Sequence, residues 1–165
     1  KYINCLIRAK KLLEYALALN ELDSETRNEG RLLLAEVLFL LGDQEKAKTL
    51  IEDLLKETSE EESAWEFAKA HFIMGYICLN NESKDDSKHY IQRSLDIFLR
   101  RDMILEYASS LYTLGTILLR SYQNHSEERQ RGLNYLNNAR DIFEKCHALL
   151  DQQAAERILH YYGQA

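Results

Sequence analysis

The chain has 165 residues, 45% hydrophobic and 29% charged, with a formal net charge of −6, six glycines and no proline. That length is one domain's worth, and the composition supports a core, which excludes a disordered tail. The lack of proline and scarcity of glycine exclude a turn-rich β-sandwich or barrel and leave an all-α fold. The acidic balance argues against a nucleic-acid binder. Three cysteines are too few, and odd in number, for a disulfide scaffold. No apolar run reaches the ~18 residues of a membrane span. Lys1-Tyr2-Ile3-Asn4-Cys5 lacks signal-peptide grammar, so a cytoplasmic location is expected, and the chain reads as an internal piece of a longer protein. The sequons Asn81-Glu82-Ser83 and Asn124-His125-Ser126 are accordingly read as chance.

In chain order, a first helix within residues 1–22 carries Ala9, Leu13 and Ala16 on one face. Helices follow over 25–41 and 44–57, the latter with Ala47, Leu50, Ile51, Leu54 and Leu55 at helical spacing. Gly42 ends the first of these and Asp43 caps the second. The next pair is predicted over 60–80, opened by a Ser59/Glu62 capping box, and over 84–100, with Ile91, Ser94, Leu95 and Phe98 facing inward. A third pair spans 103–122 and 127–146; Ser126 caps its second helix, which carries Leu136, Ala139, Phe143 and Cys146. A last helix falls within 150–165, with Ala155 and Leu159 inside.

The pairs repeat. Gly75 and Gly115 stand 40 residues apart with Ala35 another 40 before, and Gly30, Ala70 and Ser110 keep the same interval. After a five-residue insertion the two tracks continue at Ala155 and His160. A glycine inside a helix costs about 1 kcal/mol relative to alanine, so its recurrence at one register predicts close helix–helix approach. The chain is expected to be a single domain over 1–165. It divides into a half-repeat 1–22, repeats 25–57, 60–100 and 103–147, and a half-repeat 150–165.

These residues resemble the tetratricopeptide repeat family. The first repeat has Leu34-Ala35, Gly42-Asp43, Ala47, Ile51 and Leu54. The second has Met74-Gly75, Ser87, Ile91 and Ser94, and the third Leu114-Gly115, Gly132, Leu136 and Ala139. The family's period is about 34 residues; this one is longer, and the family's closing proline is absent throughout. Longer repeats of this type are similar to those of kinesin light chains, cell-polarity adaptors and the sensing regions of bacterial regulators, kinases and cyclases. The resemblance implies a right-handed superhelical α-solenoid of antiparallel helix pairs, whose first helices line a concave groove for a protein or peptide segment.

If Ala35, Gly75, Gly115 and His160 face the partner helix, a fixed offset selects the groove residues. These are Leu32, Glu36 and Phe39; Phe72, Tyr76 and Leu79; Tyr112, Thr116 and Leu119; and Arg157 and Tyr161. Glu29, Lys69, Ser109 and Ala154 extend the set, with Arg120 at its edge. The aromatics are expected to anchor apolar side chains, Lys69, Arg120 and Arg157 to hold carboxylates, and Glu29 and Glu36 to favour a basic end. Chaperone-binding members clamp a C-terminal carboxylate with Lys and Asn; Leu32, Glu36, Phe72 and Tyr76 stand at the matching sites here, so that activity is not implied.

For chemistry the chain has no Gly-rich phosphate loop, no His-Glu-x-x-His helix and no Gly-x-Ser-x-Gly elbow. His71, His89, His125, His147 and His160 are not at ligand spacing. Cys146 and His147 are helix neighbours that point about 100° apart, and Cys78 reads as a small buried hydrophobe. The expectation is therefore a non-catalytic interaction scaffold without metal or cofactor. A sensing region of a larger signalling protein is the alternative, and self-association through the end helices a third possibility. The acidic run Glu57, Glu60, Glu61 and Glu62 and the basic Lys84, Lys88, Arg93, Arg100 and Arg101 are read as solvated faces.

Overall fold

The computed structural model describes residues 2–19, 21–81, 83–121 and 126–163. Among these the regular elements are α-helices, with no strand. They are α1 (Tyr2–Leu17), α2 (Ser24–Leu40), α3 (Gln44–Glu57), α4 (Ala64–Asn80), α5 (Lys84–Arg100), α6 (Ile104–Ser121), α7 (Ser126–Lys145) and α8 (Leu149–Gly163). The second sequon lies outside the described residues, as do Glu82 of the first, the residue closing the predicted 103–122 helix and the Ser126 side chain expected to cap α7.

Local chemistry sets the helix ends. Asp23 accepts a hydrogen bond from the Thr26 backbone N–H at 2.8 Å and caps α2. That bond and one from the Thr26 hydroxyl hold its carboxyl below the usual carboxylate range. Asp43 stands at the start of α3 without a side-chain capping bond; its carboxylate takes Lys46 at 2.7 Å instead. The Ser59/Glu62 box forms, with the Ser59 hydroxyl donating to Glu62 at 3.2 Å. It closes only an isolated turn, and α4 begins at Ala64 rather than near residue 60.

Three helices end in the same left-handed turn. Gly42, Asp102 and His147 take φ of 87°, 55° and 56°. In each case the N–H one residue on returns to a carbonyl five residues back: Asp43 to Leu38, Met103 to Phe98 and Ala148 to Phe143, at 2.9, 2.9 and 2.8 Å. This is the Schellman closure, which satisfies carbonyls that would otherwise be orphaned.

The chain forms two compact units, Lys1–Ile97 and Phe98–Ala165. In the first unit α2 packs on α1, α3 and α4, and α3 also meets α4. Its core gathers Leu32, Leu34, Ala35 and Leu38 from α2, Ala47, Ile51 and Leu54 from α3, and Ala70, Ile73, Met74 and Ile77 from α4. Gly75 lets α5 approach: a Cβ there would meet Ile91 Cγ1 at 2.5 Å, Ile91 N at 3.0 Å and Ser87 O at 3.1 Å. In the second unit α7 packs on α6 and α8, and α6 also meets α8. Gly115 and Gly132 face each other across α6 and α7; a Cβ on Gly115 would lie 2.8 Å from the Gly132 carbonyl oxygen and 2.8 Å from Leu136 Cγ. The recurring glycines therefore mark close helix crossings, as their register predicted. His160 does not continue that track: it is exposed, while Ala155 of the other track is buried.

Candidate functional site

Five of the expected groove residues meet in the first unit, across α2 and α4. Lys69 Nζ on α4 lies 2.9 Å from Glu36 Oε1 on α2. One turn further along, the Phe39 ring of α2 tilts against Tyr76 of α4 with centroids 4.8 Å apart. Tyr76 also stacks nearly parallel on Phe72, one turn before it on α4, at 6.5 Å and 12°. Lys69 Nζ stands 5.9 Å from the Phe72 centroid, within cation–π range. Positions three and four apart on a helix share a face, and this places Lys69, Phe72 and Tyr76 on the side of α4 that meets α2.

Exposure separates these side chains into floor and rim. Phe72 is 7% exposed and forms the floor. Phe39, Tyr76, Glu36 and Lys69 are half-buried and reach water. The patch offers aromatic faces beside a paired carboxylate and ammonium. Lys69 and Glu36 were expected to serve opposite ends of a ligand; instead they neutralise each other at the centre.

Two expected groove residues are core. Leu32 is 2% exposed and belongs to the cluster of Ala35, Ile51 and Met74. The exposed leucines of α2 are Leu33 and Leu40, at 52% and 53%. An uninterrupted Leu32-Leu33-Leu34 run gives no pattern by which to choose among them. Leu119 is fully buried, with its Cγ 3.1 Å from where Gly132 would carry a Cβ. A residue filling the space left by a glycine cannot also line a groove.

Of the remaining expected residues, Glu29 is exposed on α2 and Leu79 half-buried on α4, and the others lie in the second unit. Tyr112 and Thr116 are half-buried on α6, where the Thr116 hydroxyl donates to the Tyr112 carbonyl at 2.8 Å, and Arg120 is exposed. On α8, Arg157 is exposed and Tyr161 is 73% exposed, its ring edge-on to Tyr162 at 4.9 Å. The exposed His160 was the marker used to place these last two, so their register rests on the helix alone.

A second aromatic cluster in the first unit escaped the sequence reading. Phe67 and His71 on α4 approach to 4.4 Å, and His71 lies 5.8 Å from Tyr90 on α5. His71 Nδ1 is 2.9 Å from the Phe67 carbonyl oxygen. Burial, only partly offset by that bond, holds its pKa below the ordinary imidazole value. Nearby, the buried Glu60 pairs with Arg93 at 3.2 Å, so neither is simply part of a solvated run. Cys78 is half-buried and burial pushes its thiol pKa up, which suits a packing role better than a reactive one. Among the described residues no three His, Cys, Asp or Glu side chains converge as metal ligands. No described helix is long and apolar enough to cross a membrane.

Packed helices with close glycine contacts, and an aromatic and charged patch across α2 and α4, define an all-α protein. No family model matches the chain, and no curated protein matches it. Among solved structures it is similar to "BtubC (BKLC) from P. vanneervenii", with a TM-score of 0.57 and 19% identity, over 97% of this chain and 75% of that one. At that identity the likeness is one of fold.

Proposed function

We propose that the chain is a non-catalytic protein-interaction module of the tetratricopeptide type that holds a segment of a partner protein against the α2/α4 face. The observation that carries this reading is the patch itself. Phe39 and Tyr76 present partly exposed aromatic surface on two packed helices, over the buried Phe72 and next to a neutralised Glu36–Lys69 pair. Rigid helix-borne aromatics with a buried floor and a polar rim are the surface type that concentrates binding energy. The repeat reading is supported by glycine contacts in two successive hairpins, and by α2 meeting both α3 and α4 as α6 meets both α7 and α8. Stacked hairpins make such nearest-neighbour contacts, which supports reading the chain as an α-solenoid scaffold for protein–protein interaction, including signalling. The module is proposed to act in the cytoplasm, where its three free thiols are stable.

The test is affinity capture of partners with the native chain and with a Phe39→Ala/Tyr76→Ala variant whose helical circular dichroism is unchanged. Truncating an anchor costs about 2 kcal/mol or more at such sites, so the variant is expected to lose at least tenfold in affinity. Equal capture by both proteins contradicts the reading.

A further inference from the structure

The α2/α4 patch continues onto a ridge of α2 that the aromatic cluster does not use. Glu25, Glu29, Leu33, Glu36 and Leu40 are spaced four, four, three and four residues apart. At 3.6 residues per turn they fall within roughly 80° of one another along the helix. Leu33 and Leu40 are each more than half exposed, and Glu25 and Glu29 are exposed too. Ala35 and Leu38, on another side of the helix, enter the core.

The repeat itself does not ask for this surface. At the corresponding positions α6 carries Leu105, Ser109, Thr113, Thr116 and Arg120, so Thr113 and Arg120 stand where α2 has Leu33 and Leu40, and the exposed Leu105 matches Glu25. On α4 the position matching Leu33 is Ile73, which is 4% exposed and structural. Exposed leucines at the Leu33 and Leu40 positions are thus particular to α2, and three glutamates share their line.

We propose that the partner segment is a basic amphipathic helix lying along α2, with aliphatic side chains on Leu33 and Leu40 and Lys or Arg side chains on Glu25, Glu29 and Glu36. This rests on reading the α2/α4 face as the docking surface, and it names what docks. Charge complementarity sets the sign of the partner: the α2 ridge carries three carboxylates and no cation of its own, and among the described residues only Glu36 is met by an ammonium, that of Lys69 on α4. Glu36 gives Oε1 to Lys69 and, as a carboxylate, has further lone pairs for a second cation. The spacing sets its form. Leu33 and Leu40 are about 10.5 Å apart along the axis, the interval at which a second helix repeats its own apolar side chains. Phe39 and Tyr76 flank the ridge and extend the apolar contact.

The probe is a phage-displayed library of random peptides of about 16 residues, long enough for four helical turns, selected on the intact chain. Enriched peptides are expected to carry Leu, Ile or Met three and four residues apart with an excess of Lys and Arg. A synthetic enriched peptide should gain helical circular dichroism on binding. Its affinity should fall about tenfold for Leu33→Ser/Leu40→Ser, which removes two half-exposed leucines from the contact. For Glu25→Gln/Glu29→Gln it should fall about threefold, with a weaker dependence on salt. Acidic or non-helical enriched peptides whose binding depends on Phe39 and Tyr76, but not on the two leucines, overturn the basic-helix assignment and leave the docking face standing. Binding indifferent to all four side chains, or no enrichment, overturns both.

Discussion

A methyl group added to Gly75 sets two effects against each other inside α4. Alanine favours the helix by about 1 kcal/mol over glycine. The same methyl would fall 2.5 Å from Ile91 Cγ1, 3.0 Å from the Ile91 nitrogen and 3.1 Å from the Ser87 carbonyl oxygen. Ile91 is buried and stiff at χ1, and the other two atoms are backbone, so relief requires α5 to move away from α4. Overpacking of this kind costs about 1–3 kcal/mol. Gly75→Ala is therefore expected to destabilise the first unit by up to about 2 kcal/mol once the helix gain is subtracted, a fall in Tm of up to roughly 8 °C for a chain of this size. The single tryptophan, Trp65, lies against the first unit's core and reports on it directly in urea or thermal unfolding. Gly30→Ala is the control: its methyl meets only the Leu17 side chain, at 3.0 Å, and the helix gain should leave stability unchanged or higher. A Gly75→Ala protein as stable as Gly30→Ala would refute the close-crossing explanation of the repeat.

Three further predictions rest on single side chains. Asp102 holds φ at 55° and adds negative charge at the C-terminal end of α5, both unfavourable; Asp102→Gly should raise stability by about 1 kcal/mol in chemical denaturation, and a loss would show that its side chain contributes. Ser94 is fully buried and its hydroxyl has no hydrogen-bond partner among the described residues, so Ser94→Ala should stabilise by about 1 kcal/mol in the same assay, whereas destabilisation would reveal a partner. His71 is held below the ordinary imidazole value of 6.5 chiefly by burial. The unfolded chain therefore binds this proton more readily, and its contribution is complete above that pH and is lost as pH falls through it toward the folded value. His71→Gln should flatten the pH dependence of Tm in that window, and an unchanged slope would remove His71 from the account.

Periodicity made the helices legible because it samples many residues at once. Spans such as 44–57 and 84–100 match α3 and α5 as drawn from the sequence. Gly75 and Gly115 were legible because a glycine inside a helix carries a cost that only close packing explains. What depended on one rotation about a helix was not. Leu32 and Leu33 differ by 100° of turn and equally in fate, yet the run of three leucines hides the difference. The Ser59/Glu62 pair is a capping box in sequence and in space, but a local signal does not tell whether the turn it opens continues into a helix. The left-handed closures at Asp102 and His147 lacked the glycine that announces the one at Gly42. At the site, the face carrying Glu36, Phe39, Lys69, Phe72 and Tyr76 was readable from the repeat offset. The Glu36–Lys69 pairing was not, because it depends on how two helices separated by a third are set side by side.

The most direct measurement of the central claim is site-specific photocrosslinking in cells. A benzophenone amino acid is placed at Tyr76 on the α2/α4 face and, in a separate protein, at the exposed Gln92 on α5. A discrete partner adduct at position 76, absent at 92 and abolished by Phe39→Ala, is the predicted result. Adducts of equal yield at both positions, or at 92 alone, would contradict it.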